Sequence, residues 1–342
     1  MEKILLLNFV NNQSSDEKLL CEAVAAASNL ASELGCIWEI GLVGQSVQNA
    51  ANWVSMAGAA KIYGVEGDDY ASSRYSSDLF AAEAIAKKAD ATLILAMGIT
   101  RARRILPALS MRLQGRADTH ITAIQAVEGK VQLSRWFYRQ RMEAAFSRSQ
   151  RPWVIGLEPG SFQGKAFQAG TAVVELLTLE LPDLLKRTQV LGTKSPAGTT
   201  QTIRPDAKLL FVAGAGWTKK QSDGQTHVKE AERLILEFLD KTQSSLGSTK
   251  SLVDQSGEGN EVLGFMTHLN QVGQTGSTPR HPKGLATCCH GEEPHVVGWR
   301  FINERRAINT DPNCGWARGK ADVLYVADAF SVMGKVNELL SR

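Results

Sequence analysis

The segment Leu269–Trp299 reads LNQVGQTGSTPRHPKGLATCCHGEEPHVVGW. Gly273 and Gly276 bracket Gln274 and Thr275, so an amide and a hydroxyl stand on backbone that can approach a planar ligand closely. Such groups suit the edge of a flavin or a nucleotide base, and an ordinary polar turn uses the same residues. Further on, Cys288, Cys289, His290, Glu292, Glu293 and His295 crowd together. Two adjacent glutamates are unexpected in a loop that wraps an anion.

Outward from this segment, the second half of the chain alternates strand and helix patterns. AKLLFVAGAGW predicts a strand ending in a Gly-x-Gly turn, and HVKEAERLILEFLDKT an amphipathic helix. RRAINTD and ADVLYVAD read as two further buried strands, and FSVMGKVNELLSR as a closing helix. A strand, glycines and a helix start are the usual physical answer to a pyrophosphate, because backbone N–H groups and the helix dipole point at the anion. Gly214–Gly216 is only a fragment of that fingerprint, and a tight strand-to-helix turn needs the same residues.

The first half has the same rhythm. ILLLNFV, IWEIGLVG, AKIYGVEG and ATLILAMG predict strands, separated by helical segments such as EKLLCEAVAAASNLASEL and SSDLFAAEAIAKKA. Strand–helix–strand alternation implies right-handed crossovers and a mostly parallel sheet. ITRARRILPALSMRLQGRADT predicts a helix carrying Arg101, Arg103, Arg104, Arg112 and Arg116 on an exposed face. ITAIQAVEG and KVQLSRWFYRQRM suggest added strands, and PWVIGLEPGSF a return to a buried strand. LGTKSPAGTTQTIRPD has the composition of a linker. The reading is therefore α/β in two domains: an N-terminal Rossmann-like parallel-sheet domain over 1–190, a linker over 191–206 and a smaller α/β domain over 207–342.

The bulk numbers agree with this. At 342 residues the chain exceeds one ordinary core. A net charge of +3 argues against nucleic acid as a partner. The apolar run at the start is too short for a signal peptide, and no segment approaches the roughly 20 apolar residues that span a bilayer. Five cysteines at irregular spacing suggest a reducing compartment rather than a disulfide framework. The expectation is a soluble, cytoplasmic chain without direct membrane insertion.

A set of short stretches then carries a resemblance: AGAG at Ala213–Gly216, Thr249-Lys250, VGQTG at Val272–Gly276, HGEEPH at His290–His295, AINTDP at Ala307–Pro312 and DAF at Asp328–Phe330. Together they resemble the flavin-binding domain of electron transfer flavoprotein alpha subunits, whose pattern has a GGRG-like turn, an SR pair, VGQTG, an SGAIQH-like run, AINKDP and a late aspartate. The first half matches more loosely, through its arginine-bearing helix and the EPGSF run.

The resemblance implies FAD in the C-terminal domain. Val272, Gly273, Gln274 and Thr275 would line the isoalloxazine, with the Thr275 hydroxyl near N5. His295 would sit at the pyrimidine end, where a donor or positive charge stabilises the negative charge of reduced flavin. Thr249 and Lys250, and His290 and Gly291, match further cofactor-contacting positions, and Asn309 and Asp328 match contacts to the adenosine part. It also implies a beta-subunit partner contacting the N-terminal domain, with room for AMP or a second FAD in that partner. Flavin dehydrogenases would be the electron donors and a quinone oxidoreductase the acceptor. Such a protein is an electron carrier, with no catalytic nucleophile or base.

Several ligand-side positions depart from the family pattern. Ala215 and Lys250 replace arginines, and the lysine keeps the charge but loses the planar fork. His290, Gly291 and Glu292 stand for SGA, and Pro294 for glutamine. A glutamate about 4 Å from a phosphate costs on the order of 4 kcal/mol at an effective dielectric near 20. The alternative reading is therefore a divergent member, with altered or lost FAD binding, acting as a structural or regulatory subunit. A metal is the third reading, since His281, Cys288, Cys289, His290, His295 and Cys314 lie within 34 residues. It lacks the C-x₂-C spacing that zinc sites use, and two buried thiols explain the cysteines more simply.

Overall fold

The computed structural model describes residues 2–10, 15–137, 142–164, 168–192, 203–204, 207–255, 262–273, 279–287, 302–314, 317 and 321–342. The chain divides into two compact units, Met1–Thr193 and Lys194–Arg342. The segment expected to be a linker, 191–206, lies largely outside the described residues.

In the first unit, β1 (Ile4–Phe9), α1 (Ser15–Leu34), β2 (Trp38–Gly44), α2 (Gln48–Val54), β3 (Ile62–Glu66), α3 (Tyr75–Ala89), β4 (Leu93–Met97) and α4 (Thr100–Arg112) alternate as the sequence predicts. They are followed by β5 (Arg116–Val127), β6 (Lys130–Phe137), β7 (Met142–Phe146), β8 (Trp153–Leu157) and the short β9 (Glu175–Leu176). The sheet order is β7-β6-β5-β8-β4-β1-β2-β3-β9. Its centre is parallel and β5–β6–β7 form an antiparallel extension. The central strands are continuous apolar runs because helices bury both faces. Ile4, Leu6, Ile40, Leu42, Leu93 and Leu95 join one core with α1 and α2. Leu5, Leu7, Val43, Val65 and Ile94 join the other with α3 and α4.

Two expectations are corrected here. The arginine-bearing helix ends at Arg112, and Arg116 opens β5. Gly115 permits the close passage between them: a Cβ there would stand 2.0 Å from the Pro152 carbonyl oxygen. Nor do the arginines share one exposed face. Arg101 is 4% exposed and forks onto the fully buried Asp78 of α3, with Nε 3.0 Å from Oδ2 and Nη2 2.7 Å from Oδ1. Its Nη2 also donates to the Tyr70 carbonyl at 2.7 Å, and its guanidinium lies 5.2 Å from the Phe9 ring centroid. Arg103 pairs with Glu158 at 3.0 Å and Arg112 with Glu83 at 2.7 Å. In the RWFYRQRM run, Arg135 stacks 4.1 Å over the Phe137 ring, and residues 138–141 lie outside the described residues.

Tyr63 on β3 is 2% exposed, and its hydroxyl donates to Glu39 of β2 at 3.4 Å. Burial, aided by the Glu39 charge, pushes the phenol up to about 12. The folded chain therefore holds this proton more tightly than the unfolded chain. The associated stability is complete below about pH 10 and is lost as pH rises toward 12. Alkaline titration followed by tyrosinate absorbance should show Tyr63 ionising late, and Tyr63→Phe should reduce the loss of stability in that window, with the burial-raised Tyr70 phenol contributing the same sign. Ionisation of all tyrosines together near their ordinary value would contradict this environment.

The second unit comprises β10 (Leu209–Ala213), α5 (Val228–Thr242), β11 (Ser245–Ser248), α6 (Lys250–Asp254), β12 (Lys283–Thr287), β13 (Glu304–Asn309), β14 (Val323–Val326) and α7 (Ala329–Leu339). All neighbouring strands are parallel, in the order β11-β10-β12-β13-β14. Phe211, Leu246 and Ile308 meet α5 and α7 on one face, while Leu210, Val212, Ala286 and Ala307 build a smaller core on the other. KGLAT, inside the loop-like opening segment, is strand β12 and lies at the centre of the sheet. Its glycine and the flanking polar residues mask the strand pattern. β14, expected to be buried, is an edge strand with Val323, Tyr325 and Val326 40%, 42% and 54% exposed.

Candidate functional site

With the order β11-β10-β12-β13-β14, the chain leaves β10 first to one side and then to the other. The strand order therefore reverses between β10 and β12, and in open parallel sheets ligands bind outside the carboxyl ends of the strands at such a point. The described candidate residues fall on that edge. Thr249 and Lys250 follow β11, Asn309 ends β13, and Asp328 follows β14. Val272 and Gly273 reach the edge through a bridge between Gln271 and Ser248.

Main-chain bonds tie these strand ends to one another. Thr249 N donates to Ala213 O at 2.9 Å, Gly214 N to Thr287 O at 2.8 Å, Val272 N to Ser248 O at 3.0 Å and Ala327 N to Asn309 O at 3.1 Å. Thr249 is 1% exposed and caps α6, its hydroxyl accepting from Leu252 N at 3.4 Å. The approach of the VG segment is close: a Cβ on Gly247 would stand 2.7 Å from Val272 Cγ2, so glycine is required there. Gly273 itself has φ 137°, which a side chain disfavours.

Asn309 is 3% exposed and closes a turn by accepting from Asp311 N at 2.9 Å. Asp328 caps α7, accepting from Ser331 N at 2.8 Å and from its hydroxyl at 2.7 Å. Lys250 is half exposed, its Nζ 3.7 Å from Asp254. Two groups thus form along the edge, one beside β11 and one beside β13 and β14. At about 4.8 Å per strand, roughly 19 Å separates β11 from β14. An elongated ligand spans that distance; a small one touches only one group.

The GAG turn is a short 3₁₀ helix, Ala215–Thr218, buried throughout. The Trp217 indole N–H donates to Thr287 Oγ1 at 2.8 Å, and its ring packs on Phe330 with centroids 4.6 Å apart. Sequence reasoning missed this plug. Ala215, where the family pattern has arginine, is fully buried in it. Nearby, the Gln225 amide and the His227 ring hold the Asp223 carboxyl below its usual range. At the opposite, amino-terminal edge, Leu209, Lys283, Gly284, Leu285, Glu304 and Arg306 line a groove of about 240 Å³, which carries none of the candidate residues.

Gln274, Thr275, His290, Gly291 and His295 lie outside the described residues, as do Glu292, Glu293, Cys288 and Cys289. Of the metal reading, His281 and Cys314 are described, and both are buried. His281 Nε2 stands 2.8 Å from the Arg204 carbonyl, and Cys314 joins the smaller core. Among the described residues no group of three His, Cys, Asp or Glu is placed to hold a metal, and no helix is long and apolar enough to cross a membrane.

Fold and edge together define a two-unit α/β protein whose second, parallel sheet gathers these residues at the carboxyl ends of its strands. A model of the electron transfer flavoprotein domain matches residues 13–182. The chain is also 23% identical over 319 residues, 92% of each chain, to the electron transfer flavoprotein subunit alpha of Syntrophomonas wolfei subsp. wolfei. It belongs to the electron transfer flavoprotein family.

Proposed function

We propose that this chain is an alpha-type subunit that binds FAD along the carboxyl edge of its second sheet, pairs with a beta-type subunit through its N-terminal domain (1–190), and relays electrons. The carrying observation is that Thr249, Lys250, Val272, Gly273, Asn309 and Asp328, far apart in sequence, share the edge where the strand order reverses. The residues suit the group: a glycine-dependent close approach for a planar ring, a cation beside it, and a second polar cluster about four strand spacings away for the adenosine part.

FAD, when bound, supplies the ring that accepts and releases electrons. Val272 and Gly273, with Gln274 and Thr275, would support its edge. Lys250, with His295, would place positive charge near it. Asn309 and Asp328 would orient the far end. No nucleophile or general base is needed. A flavin dehydrogenase is the proposed donor and a quinone oxidoreductase the proposed acceptor. The resemblance leaves room for AMP or a second FAD in the partner, and a cytoplasmic location is part of the same proposal.

A second reading, a subunit that keeps the scaffold without the flavin, is favoured by the buried Ala215 at the position of the family arginine. Co-expression with a beta-type partner, gentle isolation and a visible spectrum separate the two. The FAD reading expects the two bands of oxidised flavin and release of FAD on denaturation. A colourless complex that stays colourless with excess FAD supports the second reading.

A further inference from the structure

We propose that Asp254 and His268 are positioning residues for Lys250, setting how much of its positive charge a bound flavin dinucleotide meets and making that share depend on pH. The inference rests on the FAD reading above and concerns the β11 end of the same edge.

Lys250 and Asp254 stand one turn apart on α6 and therefore on one side of it. The two oxygens of Asp254 are divided between two partners: Oδ2 lies 3.7 Å from Lys250 Nζ, and Oδ1 lies 3.7 Å from His268 Nδ1. His268 Nδ1 is also 3.5 Å from Oε1 of Gln271. Gln271 is 4% exposed, bridges to Ser248 and leads directly into Val272 and Gly273. One carboxylate thus links the edge lysine to the loop proposed to carry the flavin ring.

Among the described residues, the charged and titratable groups placed against this carboxylate are Lys250 on its own helix and His268 on the 3₁₀ turn His268–Asn270 packed against it. The other packed element, Ala215–Thr218, bears no charge, and its Thr218 hydroxyl donates to Gln255. Lys219 follows it, and Glu258 and Glu261 lie outside the described residues. With a neutral imidazole, Asp254 neutralises Lys250 alone. With an imidazolium, the carboxylate is shared and Lys250 presents more positive charge to an anionic ligand. The side chains are 51%, 38% and 65% exposed for Lys250, Asp254 and His268, so solvent and salt keep the effect small.

The test is FAD rebinding to the cofactor-stripped full-length complex at low salt, at pH 6 and pH 8, for wild type, His268→Gln, Asp254→Asn and Asp254→Glu. Wild type should gain about two- to fivefold more affinity on going from pH 8 to pH 6 than His268→Gln does. Comparison with His268→Gln removes any contribution from His290 or His295. Asp254→Asn should bind at least as tightly as wild type at both pH values and match the reduced pH dependence of His268→Gln. Asp254→Glu should restore the wild-type profile. A flavin-free readout accompanies it: in the stripped complex, the His268 ring resonances should move in Asp254→Asn and in Lys250→Met at fixed pH.

Equal pH profiles for wild type and His268→Gln, with FAD bound by both, overturn the positioning role and leave the FAD reading intact. Absence of FAD binding at either pH, with the ring resonances responding to both substitutions, overturns the FAD reading and supports the coupling. Resonances indifferent to both substitutions overturn the coupling itself.

Discussion

Asp78→Asn should lower the stability of the first unit by about 3–5 kcal/mol, because it leaves the Arg101 guanidinium buried without its counter-charge. Asp78 is fully buried, and the fork from Arg101 joins α3 to α4 while the Tyr70 carbonyl and the Phe9 ring complete its surroundings. The amide is nearly isosteric, so the loss reports charge rather than shape. Replacing both partners with apolar residues, Asp78→Leu with Arg101→Met, should recover most of the loss, since a buried pair's attraction is largely offset by its desolvation. Urea unfolding followed through the amide exchange of residues in β1, β4 and α3 measures this without assuming that the two units unfold together. A loss below about 1 kcal/mol for Asp78→Asn would show that the pair is not sealed from water.

Trp217→Ala should have an effect of similar size on the second unit, about 3–5 kcal/mol. The indole is fully buried, so truncation opens a cavity between the end of β10 and the start of α7. It also removes one hydrogen-bond donor to the Thr287 hydroxyl at the end of β12, which still donates to the Val212 carbonyl. Trp217→Phe, which fills most of the space and loses only the N–H, should lose about 1 kcal/mol. Because Thr287 and Gly214 join the two strands between which the order reverses, Trp217→Ala should also loosen FAD retention, while Trp217→Phe should retain it. Urea unfolding of the second unit together with cofactor retention through gel filtration reads both effects. Equal losses for the two substitutions would refute the cavity argument.

Much of this architecture was legible in the residues. Continuous apolar runs such as ILLLNFV and ATLILAMG can satisfy both faces only inside a parallel sheet covered by helices, and they are its centre. The less legible elements are those whose pattern depends on tertiary partners. KGLAT is too short and too polar at its ends to announce a central strand, and ADVLYVAD is apolar on both sides although it lies at an edge. Arg101 reads as a surface residue until Asp78, 23 positions earlier, is brought against it. At the candidate site, the glycines and the VGQTG run carry local chemistry that can be read directly. Trp217, Asp254 and His268 act through contacts that no local spacing shows, although the Lys250–Asp254 separation of four residues is a helix-pair signal.

The most direct measurement is amide hydrogen exchange of the full-length complex with and without FAD. The account predicts slower exchange on FAD binding at 249–252, 272–273, 309–311 and 328–331, with no change at 283–285 and 304–306 on the opposite edge. Protection at the opposite edge, or FAD binding without protection at the carboxyl edge, would contradict it.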